Sequence, residues 1–513
     1  MSHFRHGLLS LIAVFASIIV QAKVIYIRNQ VDFDNLNTIL TTAIKVGDNN
    51  VTVNFAPGEY FYKSQHVLLK GLNNPRLVLR FTGDNARIIG GGGKVNSFNK
   101  YEYLYLKGEE LINSWSKFYQ AKDTIEIVDV RNHLCRLKHN GINELKDVRN
   151  KKIQVTLWFK SSVFPITKIE NGYIYFDAGE YAQPIKGYEQ TVNYDYAYTK
   201  KYPRYRLFGF SKISNVYECR TACFLDIEDS KLKSIELNEL SINGCSRDNH
   251  LIILNNIKAD NIVINHSSFK NIGGAVVYIT NCDNVSFDRN YVKNIYGGAI
   301  ISNNGSCKTK VTNCEFRNLD LKMTNSHGIL IQGDSFEISN NVFENFSYSA
   351  IGVGIHYQSK GGRPCSGKIF RNEIYLSGDY LDNTEQHSLM DSGAIYLWTQ
   401  NDGIEIFDNY IHDITGVKDN RGIFCDDGTK NVTIRNNIIE RISNSHCISL
   451  RECAYVADYV PDYNSGNMIT NNYIDGSVLF FEKDKTCQYG GSTSTRSIVF
   501  FFSRAYWHWR SKR

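Results

Sequence analysis

A repeated asparagine constrains the fold of this 513-residue chain more than any other sequence feature. Segments such as "NVSFDRNYVKNI", "NVTIRNNIIERI" and "NMITNNYIDGS" recur through the second half, each with asparagine at the same point. The column comprises Asn290, Asn341, Asn372, Asn409, Asn437 and Asn472, with Ser267 and Cys314 in two further copies. Starting from Ser267, the spacings are 23, 24, 27, 31, 37, 28 and 35 residues. A period of this length indicates a repeat architecture.

A second column follows each copy of the first, in segments such as "GGAVVYI", "HGILIQG", "SGAIYLW" and "RGIFCDD". A small residue opens a strand in which apolar side chains then alternate. Units of about 22 to 30 residues with three short strands cannot bury a face alone, so they must stack. We therefore predict an all-β fold, a right-handed parallel β-helix, whose columns repeat at about 4.8 Å. The asparagines are then expected to form a hydrogen-bonded ladder at a turn. Leucine-rich repeats are the main alternative, but their leucine pattern is missing.

The amino terminus resembles a secretory signal. Arg5 precedes an apolar run from Leu8 to Val20, and Val20 and Ala22 supply the small residues of a cleavage site before Lys23. The run is short for a membrane anchor, which is the alternative. We expect residues 1–22 to be a signal peptide and the protein to be exported to a periplasmic, cell-surface or extracellular location. No later run of 18 apolar residues occurs, so we expect no membrane span in the mature chain.

The repeat also predicts the division of the chain. Residues 23–95 form the first coils, residues 96–210 an inserted β-rich subdomain, residues 211–487 the main β-helix, and residues 488–513 an atypical tail. The long spacings predict insertions at 359–390 and 453–466, and solenoid insertions tend to lie on the functional face. The tail is apolar, aromatic and basic, and forms either a cap or a disturbed end.

Charge and cysteine content exclude some functions. The net charge of +6 is spread over scattered basic residues, so we expect no nucleic-acid partner, although an acidic substrate is compatible. None of the twelve cysteines forms a CxxC pair, so zinc spacing is absent. Export permits disulfides, and Cys282 and Cys307 either pair or are small buried residues. We expect a monomer.

Several chemically active side chains fall into one outward-facing ladder of the predicted helix. Equivalent starting positions of three consecutive strands are assigned to Gly393, Gly422 and Cys447. Five residues later the ladder holds Trp398, Asp427 and Glu452, and aligning "GIHYQ" with "YLWTQ" adds His356. One position earlier lie Leu397, Asp426 and Arg451.

Stacked carboxylates are suited to glycoside chemistry. On adjacent coils they would lie about 5 Å apart, whereas retaining glycosidases need about 5 to 5.5 Å and inverting ones about 6.5 to 9.5 Å. Two close carboxylates push their pKa values apart, giving an acid and a base or nucleophile. Trp398 can stack on the apolar face of a sugar. Asp391 is a further candidate, but a straight strand places it too far from Asp427 unless a bend or loop closes the gap.

Plainer interpretations remain open for each residue. The Asp426-Asp427-Gly sequence is compatible with an ordinary turn, a catalytic pair or a calcium ligand set. Glu452 beside Arg451 is compatible with a surface charge pair. His412 and Asp413 are expected to form a structural hydrogen bond. His356 is either a substrate ligand or a packed surface residue.

Three stretches resemble one group of known proteins: "MDSGAIYLW", "NYIHDI" and "GIFCDDGTKNVTIRNN". They are similar to exported β-helix glycoside hydrolases of the pectate-lyase-like superfamily, in the group that includes α-L-fucosidases and xylanases. The resemblance covers most of residues 40 to 480. It implies acidic catalytic residues at Asp391, Asp426 and Asp427, the last at a position where such strands commonly carry Glu.

The leading functional prediction is a secreted glycoside hydrolase acting on a polysaccharide or oligosaccharide. The predicted catalytic residues are Asp391, Asp426, Asp427 and Glu452, and the predicted substrate-binding residues are His356, Tyr396, Trp398, Arg421 and Arg451. No cofactor or metal is assigned to this hydrolase. The first alternative is a Ca²⁺-dependent polysaccharide lyase in which Asp426 and Asp427 hold the ion and Arg451 or Lys430 is the base. The second is a non-catalytic carbohydrate-binding or adhesive β-helix.

Overall fold

The described part of the chain covers most of the predicted coils. A computed structural model describes residues 22–62, 64–90, 119–120, 125–129, 131–139, 152–156, 161–179, 204–208, 223–245, 250–303, 305–321, 326–354, 364–377, 389, 391–398, 401–415, 420–426, 429–443, 445–450, 466–475 and 478–480. Within these ranges the chain is built mainly from short parallel strands that stack coil upon coil. The predicted right-handed parallel β-helix is confirmed.

Each complete coil carries three strands, so the β-helix has three faces. Face 1 consists of Val67–Lys70, the first part of Leu225–Asn238, Ile252–Lys258, Val277–Thr280, Ile300–Asn303, His327–Ile331, Ser349–Val353, Ser392–Trp398, Asn420–Asp426, Ile448–Leu450 and Val478–Phe480. Face 2 consists of Lys23–Ile27, Asn50–Phe55, Asn73–Thr82, the second part of Leu225–Asn238, Asn261–Asn265, Val285–Asp288, Lys310–Thr312, Phe336–Ser339, Cys365–Phe370, Asn401–Phe407, Thr429–Lys430, Thr433–Arg435 and Met468–Thr470. Faces 1 and 2 join into one sheet of 23 strands.

Face 3 is a separate sheet of 11 strands. It consists of Gly58–Tyr62, Ala86–Gly90, Ser241–Cys245, Ser268–Ile272, Tyr291–Ile295, Glu315–Leu319, Val342–Phe346, Glu373–Ser377, Tyr410–Ile414, Ile438–Ile442 and Tyr473–Asp475. All of these strands pair in parallel with the equivalent strands of the adjacent coils. Because the alternating apolar positions point inward on all three faces, the core runs the length of the helix.

The asparagine ladder lies at the turn between faces 2 and 3, as the repeat predicted. The backbone N–H of Asn372 donates to Oδ1 of Asn409 at 3.0 Å, and that of Asn409 donates to Oδ1 of Asn437 at 3.0 Å. Each amide also donates backwards, as Asn372 Nδ2 does to the carbonyl of Ile338 at 3.0 Å. The residue before each ladder position has a left-handed backbone, for example Asn340 with φ of 55°. The ladder therefore supplies hydrogen-bond partners to backbone groups of a buried turn, where the hydrogen bonds between strands are interrupted.

A second ladder, which the sequence analysis did not identify, lies near the end of face 3. It links Asn243, Asn271, Asn294, Asn318 and Asn345 through side-chain amides at 2.8 to 3.0 Å. The last four of these residues have φ between 57° and 63°, a conformation that asparagine tolerates better than most residues. This column therefore bends face 3 into the next turn.

Two helices close the amino-terminal end of the core, and the sequence analysis did not predict them. α1 spans Gln30–Asp34 and α2 spans Leu36–Lys45. The Asn29 side chain accepts a hydrogen bond from the N–H of Asp32 and caps the first helix. Phe33, Leu36 and Leu40 are fully buried in the core of the first coils. Without such a cap, the first coil would expose its apolar interior to water.

Seven strands within the stretch predicted as an insertion form their own antiparallel sheet. They are Tyr119–Gln120, Glu126–Asp129, Leu134–Lys138, Lys152–Thr156, Ser161–Glu170, Tyr173–Asp177 and Arg204–Phe208. Their buried side chains, including Leu137, Ile153 and Ile174, form a cluster separate from the β-helix core. The predicted boundaries at 96 and 210 lie outside the described residues.

The suggested disulfide between Cys282 and Cys307 is not formed. Neither thiol is in a disulfide, and neither are the other seven cysteines in the described ranges. Cys282 is buried and its thiol contacts the carbonyl of Thr280 at 3.2 Å, so it fills the core as the alternative interpretation expected. Neither helix in this part of the chain has the length and apolar content of a membrane span.

Candidate functional site

The candidate site lies on the outer surface of face 1, where strands Ser392–Trp398 and Asn420–Asp426 are neighbours. Their register pairs Ile395 with Ile423 and Trp398 with Asp426. The sequence-based register, which equated Gly393 with Gly422, is wrong by one residue because Gly393 pairs with Arg421. Asp426, rather than Asp427, is therefore the carboxylate at the level of Trp398.

The alignment of His356 with Trp398 is also wrong. Strand Ser349–Val353 pairs Val353 with Leu397, which places Gly354 at the level of Trp398. A Cβ at Gly354 would lie 2.8 Å from Cδ2 of the indole, so this glycine leaves room for the ring. His356 itself lies outside the described residues.

Asp426 is held by a tyrosine of the preceding coil. The hydroxyl of Tyr396 donates to Oδ2 of Asp426 at 2.8 Å, and only 4% of Asp426 is exposed. Tyr396 and Trp398 face outward and are half-buried, because Ile395 and Leu397 point into the core. Strand alternation therefore places a carboxylate and two large aromatic residues on the same surface.

A second tyrosine links this carboxylate to Asp391. The hydroxyl of Tyr348 donates to the backbone carbonyl of Asp391 at 3.0 Å and lies next to the hydroxyl of Tyr396. Burial, followed by the nearby charge of Asp391, raises the pKa of Tyr348 well above its usual value, so this hydroxyl keeps its proton. Asp426 contributes to the same rise. Asp391 and Asp426 therefore both raise the pKa of Tyr348. In the strand register Asp391 lies seven positions before the level of Asp426.

Arg421 binds Asp391 from the adjacent strand. Its Nη1 lies 3.2 Å from Oδ1 of Asp391, and the guanidinium lies 3.8 Å over the ring of Phe424. The Arg421 side chain is 4% exposed and the Asp391 side chain 25% exposed. Asp391 has a φ of 57°, which is uncommon for any residue other than glycine but is tolerated by Asp and Asn. The ion pair thus fixes a carboxylate at a tight bend before the strand.

The sequence analysis missed His327, which completes the aromatic cluster. Its ring stacks on Trp398 with centroids 5.0 Å apart and an interplanar angle of 13°, and it meets the edge of Tyr348 at 5.3 Å. Burial lowers the pKa of His327 to about 3, so the imidazole is neutral near pH 7. A clue was present in the sequence: glycine stands at outward positions 352 and 354, where a neighbouring coil can place a ring.

Other predicted residues have different outcomes. Asp427, Glu452 and Arg451 lie outside the described residues, so their roles stay predictions. Lys430 lies on a face 2 strand, opposite Asp402 in the strand register. Within the described ranges, no group of three or more His, Cys, Asp or Glu side chains is arranged to hold a metal ion. The calcium site of the lyase alternative includes Asp427, which lies outside the described residues, so that site stays a prediction.

The expected bond between His412 and Asp413 is present on face 3. Nδ1 of His412 lies 2.6 Å from Oδ2 of Asp413, and Nε of Arg441 lies 2.6 Å from Oδ1 of the same carboxylate. These contacts lower the pKa of Asp413 to about 2, the hydrogen bond from Arg441 being the largest cause. The bond from Arg441 joins the coil of Asp413 to the next coil.

The comparisons with known proteins agree with this architecture. The family model described as "Right handed beta helix region" matches residues 298–496. Together with the stacked parallel strands, this match identifies the chain as a right-handed parallel β-helix protein.

Solved structures are similar to the chain at low sequence identity. A structure titled "Glycoside hydrolase" is 11% identical, covers 88% of this chain and 97% of its own, and has a TM-score of 0.57. The A-module of the mannuronan C-5 epimerase AlgE4 from Azotobacter vinelandii is 12% identical, with coverages of 88% and 93% and a TM-score of 0.38. No curated protein sequence matches the chain. The similarity to the first of these structures, at 11% identity, shows the fold alone.

Proposed function

We propose that this protein is a carbohydrate-active enzyme, a glycoside hydrolase whose active site lies on face 1 around Asp391 and Asp426. One observation carries the proposal: Tyr348 and Tyr396 connect these two aspartates beside a partly exposed tryptophan. Glycoside hydrolysis needs paired carboxylates, and sugar binding favours an aromatic surface next to them. The sequence resemblance to β-helix glycoside hydrolases supports the same assignment.

The contacts of the two aspartates suggest their roles. Asp391 is paired with the guanidinium of Arg421, and Asp426 accepts a hydrogen bond from the Tyr396 hydroxyl, so both are suited to act as carboxylates. In this proposal one of them attacks the anomeric carbon or activates a water molecule. The leaving oxygen then needs a proton donor, for which Asp427 and Glu452 remain the candidates.

The aromatic residues would bind the sugar. Trp398 and Tyr396 present their partly exposed rings on the surface that holds Asp426. A ring of this kind packs against the C–H face of a pyranose, while the carboxylate and hydroxyl groups hydrogen-bond its edge. We propose an oligosaccharide or polysaccharide as substrate. We further propose that the signal-like amino terminus exports the enzyme to meet that substrate.

A screen with product analysis tests this function. The purified protein is incubated with a panel of polysaccharides and oligosaccharides, and products are identified by reducing-end assay and mass spectrometry. A hydrolase releases saturated sugars with new reducing ends, and chelation of divalent ions leaves the rate unchanged. The Asp391→Asn and Asp426→Asn variants should both lose activity, while Asp260→Asn, at an exposed position, should not.

Two other outcomes would contradict the proposal. An unsaturated product that absorbs in the ultraviolet and disappears with a chelator would establish the lyase alternative. Glycan binding without turnover, unchanged in both aspartate variants, would establish a binding protein instead.

A further inference from the structure

The coil that carries Ser349–Val353 has an unusual outer surface, because its outward positions 352 and 354 are both glycine. A Cβ at Gly352 would lie 2.3 Å from Cγ and Nδ1 of the His327 imidazole. A Cβ at Gly354 would lie 2.8 Å from the Trp398 indole. The His327 ring, from the preceding coil, and the Trp398 ring, from the following coil, therefore both pack over this glycine-containing strand and contact each other.

His327 contacts all three large aromatic residues of the site. Besides Trp398 and Tyr348, its ring stacks on Tyr396 with centroids 5.7 Å apart and an interplanar angle of 21°. His327 is 7% exposed, so it has almost no contact with solvent. Among the described residues no group hydrogen-bonds its Nδ1, and its ring is packed against three aromatic rings.

The position of His327 defines which face of Trp398 is available. His327 comes from the amino-terminal side and covers one face of the indole. On the side of the next coil, Asp426 stands opposite Trp398 in the strand register. Because Asp is much smaller than an aromatic residue, no ring among the described residues of the next coil takes the place opposite Trp398 in the strand register.

We propose that His327 is a positioning residue: it fixes the ring planes of Trp398 and Tyr396, so that a sugar ring stacks on the face of Trp398 nearest Asp426. This inference rests on the proposed function and deepens it by naming the surface on which the sugar lies. His327 supplies a flat ring and touches no substrate. Its neutrality supports this role, since burial lowers its pKa to about 3 and a charged ring would be costly there.

Substitutions separate positioning from a polar or structural role. His327→Ala removes the stacking partner and should lower kcat/KM by about 10-fold to 100-fold, the size expected when a binding surface is misplaced by about 1 Å. His327→Phe keeps a flat ring and should retain activity within about threefold of wild type. Gly352→Ala leaves His327 unchanged but forces its imidazole to move, so it should lower kcat/KM to a similar extent as His327→Ala. His266→Asn, at an exposed histidine, is the matched control.

A fluorescence measurement keeps the inference testable even if no glycan is turned over. The difference signal between each protein and its Trp398→Phe partner reports on Trp398 alone. We expect His327→Ala to raise the rate of acrylamide quenching of Trp398 about twofold, and His327→Phe to leave it unchanged. If His327→Ala stays folded with unaltered quenching, the inference is wrong. If quenching changes but no glycan is hydrolysed by wild type, His327 does position Trp398 and it is the proposed function that fails.

Discussion

The hydroxyl of Tyr396 donates a 2.8 Å hydrogen bond to Oδ2 of Asp426, joining an aromatic residue of one coil to a carboxylate of the next. The bond is possible because strand register sets Tyr396 opposite Phe424, two residues before Asp426 on the same face. A sugar that stacks on the aromatic residues would therefore lie beside a carboxylate whose orientation is already fixed.

Tyr396→Phe removes this donor and keeps the ring. Because Asp426 is 4% exposed, loss of one of its hydrogen bonds should lower the free energy of unfolding by about 1 to 3 kcal/mol and reduce kcat. Urea denaturation and steady-state kinetics measure the two effects. Tyr473→Phe, at an exposed tyrosine, should change neither. Equal stability of wild type and Tyr396→Phe would show that the hydrogen bond contributes nothing.

Asn372→Ala tests the ladder between faces 2 and 3. The substitution leaves the buried N–H of Asn341 without its acceptor and removes the donor to the carbonyl of Ile338. Each buried group left without its partner costs about 1 to 3 kcal/mol, so the free energy of unfolding should fall by about 3 kcal/mol or more. Urea denaturation is the measurement. Asn261→Ala, at an exposed asparagine, is the control, and an equal effect of both substitutions would contradict a ladder.

His327 should make stability depend on pH. The pKa of His327 is about 3 in the folded protein and near 6.5 in the unfolded chain. Its contribution to the free energy of unfolding is therefore complete above about pH 6.5. That contribution is lost as the pH falls towards 3, because the unfolded chain then binds a proton that the folded protein does not. The loss is on the order of 4 kcal/mol. His327→Phe should therefore flatten the profile of unfolding free energy between pH 7 and pH 4. Parallel profiles for the two proteins would contradict a buried neutral imidazole.

Cysteine labelling tests the free thiols. Denatured, unreduced protein treated with an alkylating reagent should carry the label on both Cys282 and Cys307 in peptide mass spectra. In the native protein labelling should be slow even at the half-buried Cys307, because burial, the largest cause, and Asp334 raise its pKa to about 11. A peptide pair joined through these two cysteines would contradict the structure.

Sequence periodicity predicted the β-helix correctly because one asparagine per coil makes the same buried contacts in successive copies. The register at the site failed because Gly393 and Gly422 were matched by residue type, although no common contact holds them. Matching the core residues Ile395 and Ile423 gives the observed pairing. Core packing, rather than the identity of an opening glycine, fixes register.

The other omissions have physical causes as well. The helical cap lies outside the repeat, so periodicity carries no information about it. His327 acts through a ring stacked across a bare glycine strand two coils from Trp398, and such a contact depends on register as well as on residue type. The acidic residues Asp391 and Asp426 were predicted from motifs, whereas their connection through Tyr348 required the folded geometry.

The most direct test of the central claim is turnover of the best substrate from the glycan panel by wild type, Asp426→Asn and Asp260→Asn, each first shown to be folded. Asp426→Asn keeps the size of the side chain and still offers an oxygen to the Tyr396 hydroxyl. We predict a loss of at least about 100-fold in kcat for this variant, a reducing-end product from wild type, and wild-type activity for Asp260→Asn. Wild-type kcat in Asp426→Asn would contradict an active site built around this carboxylate.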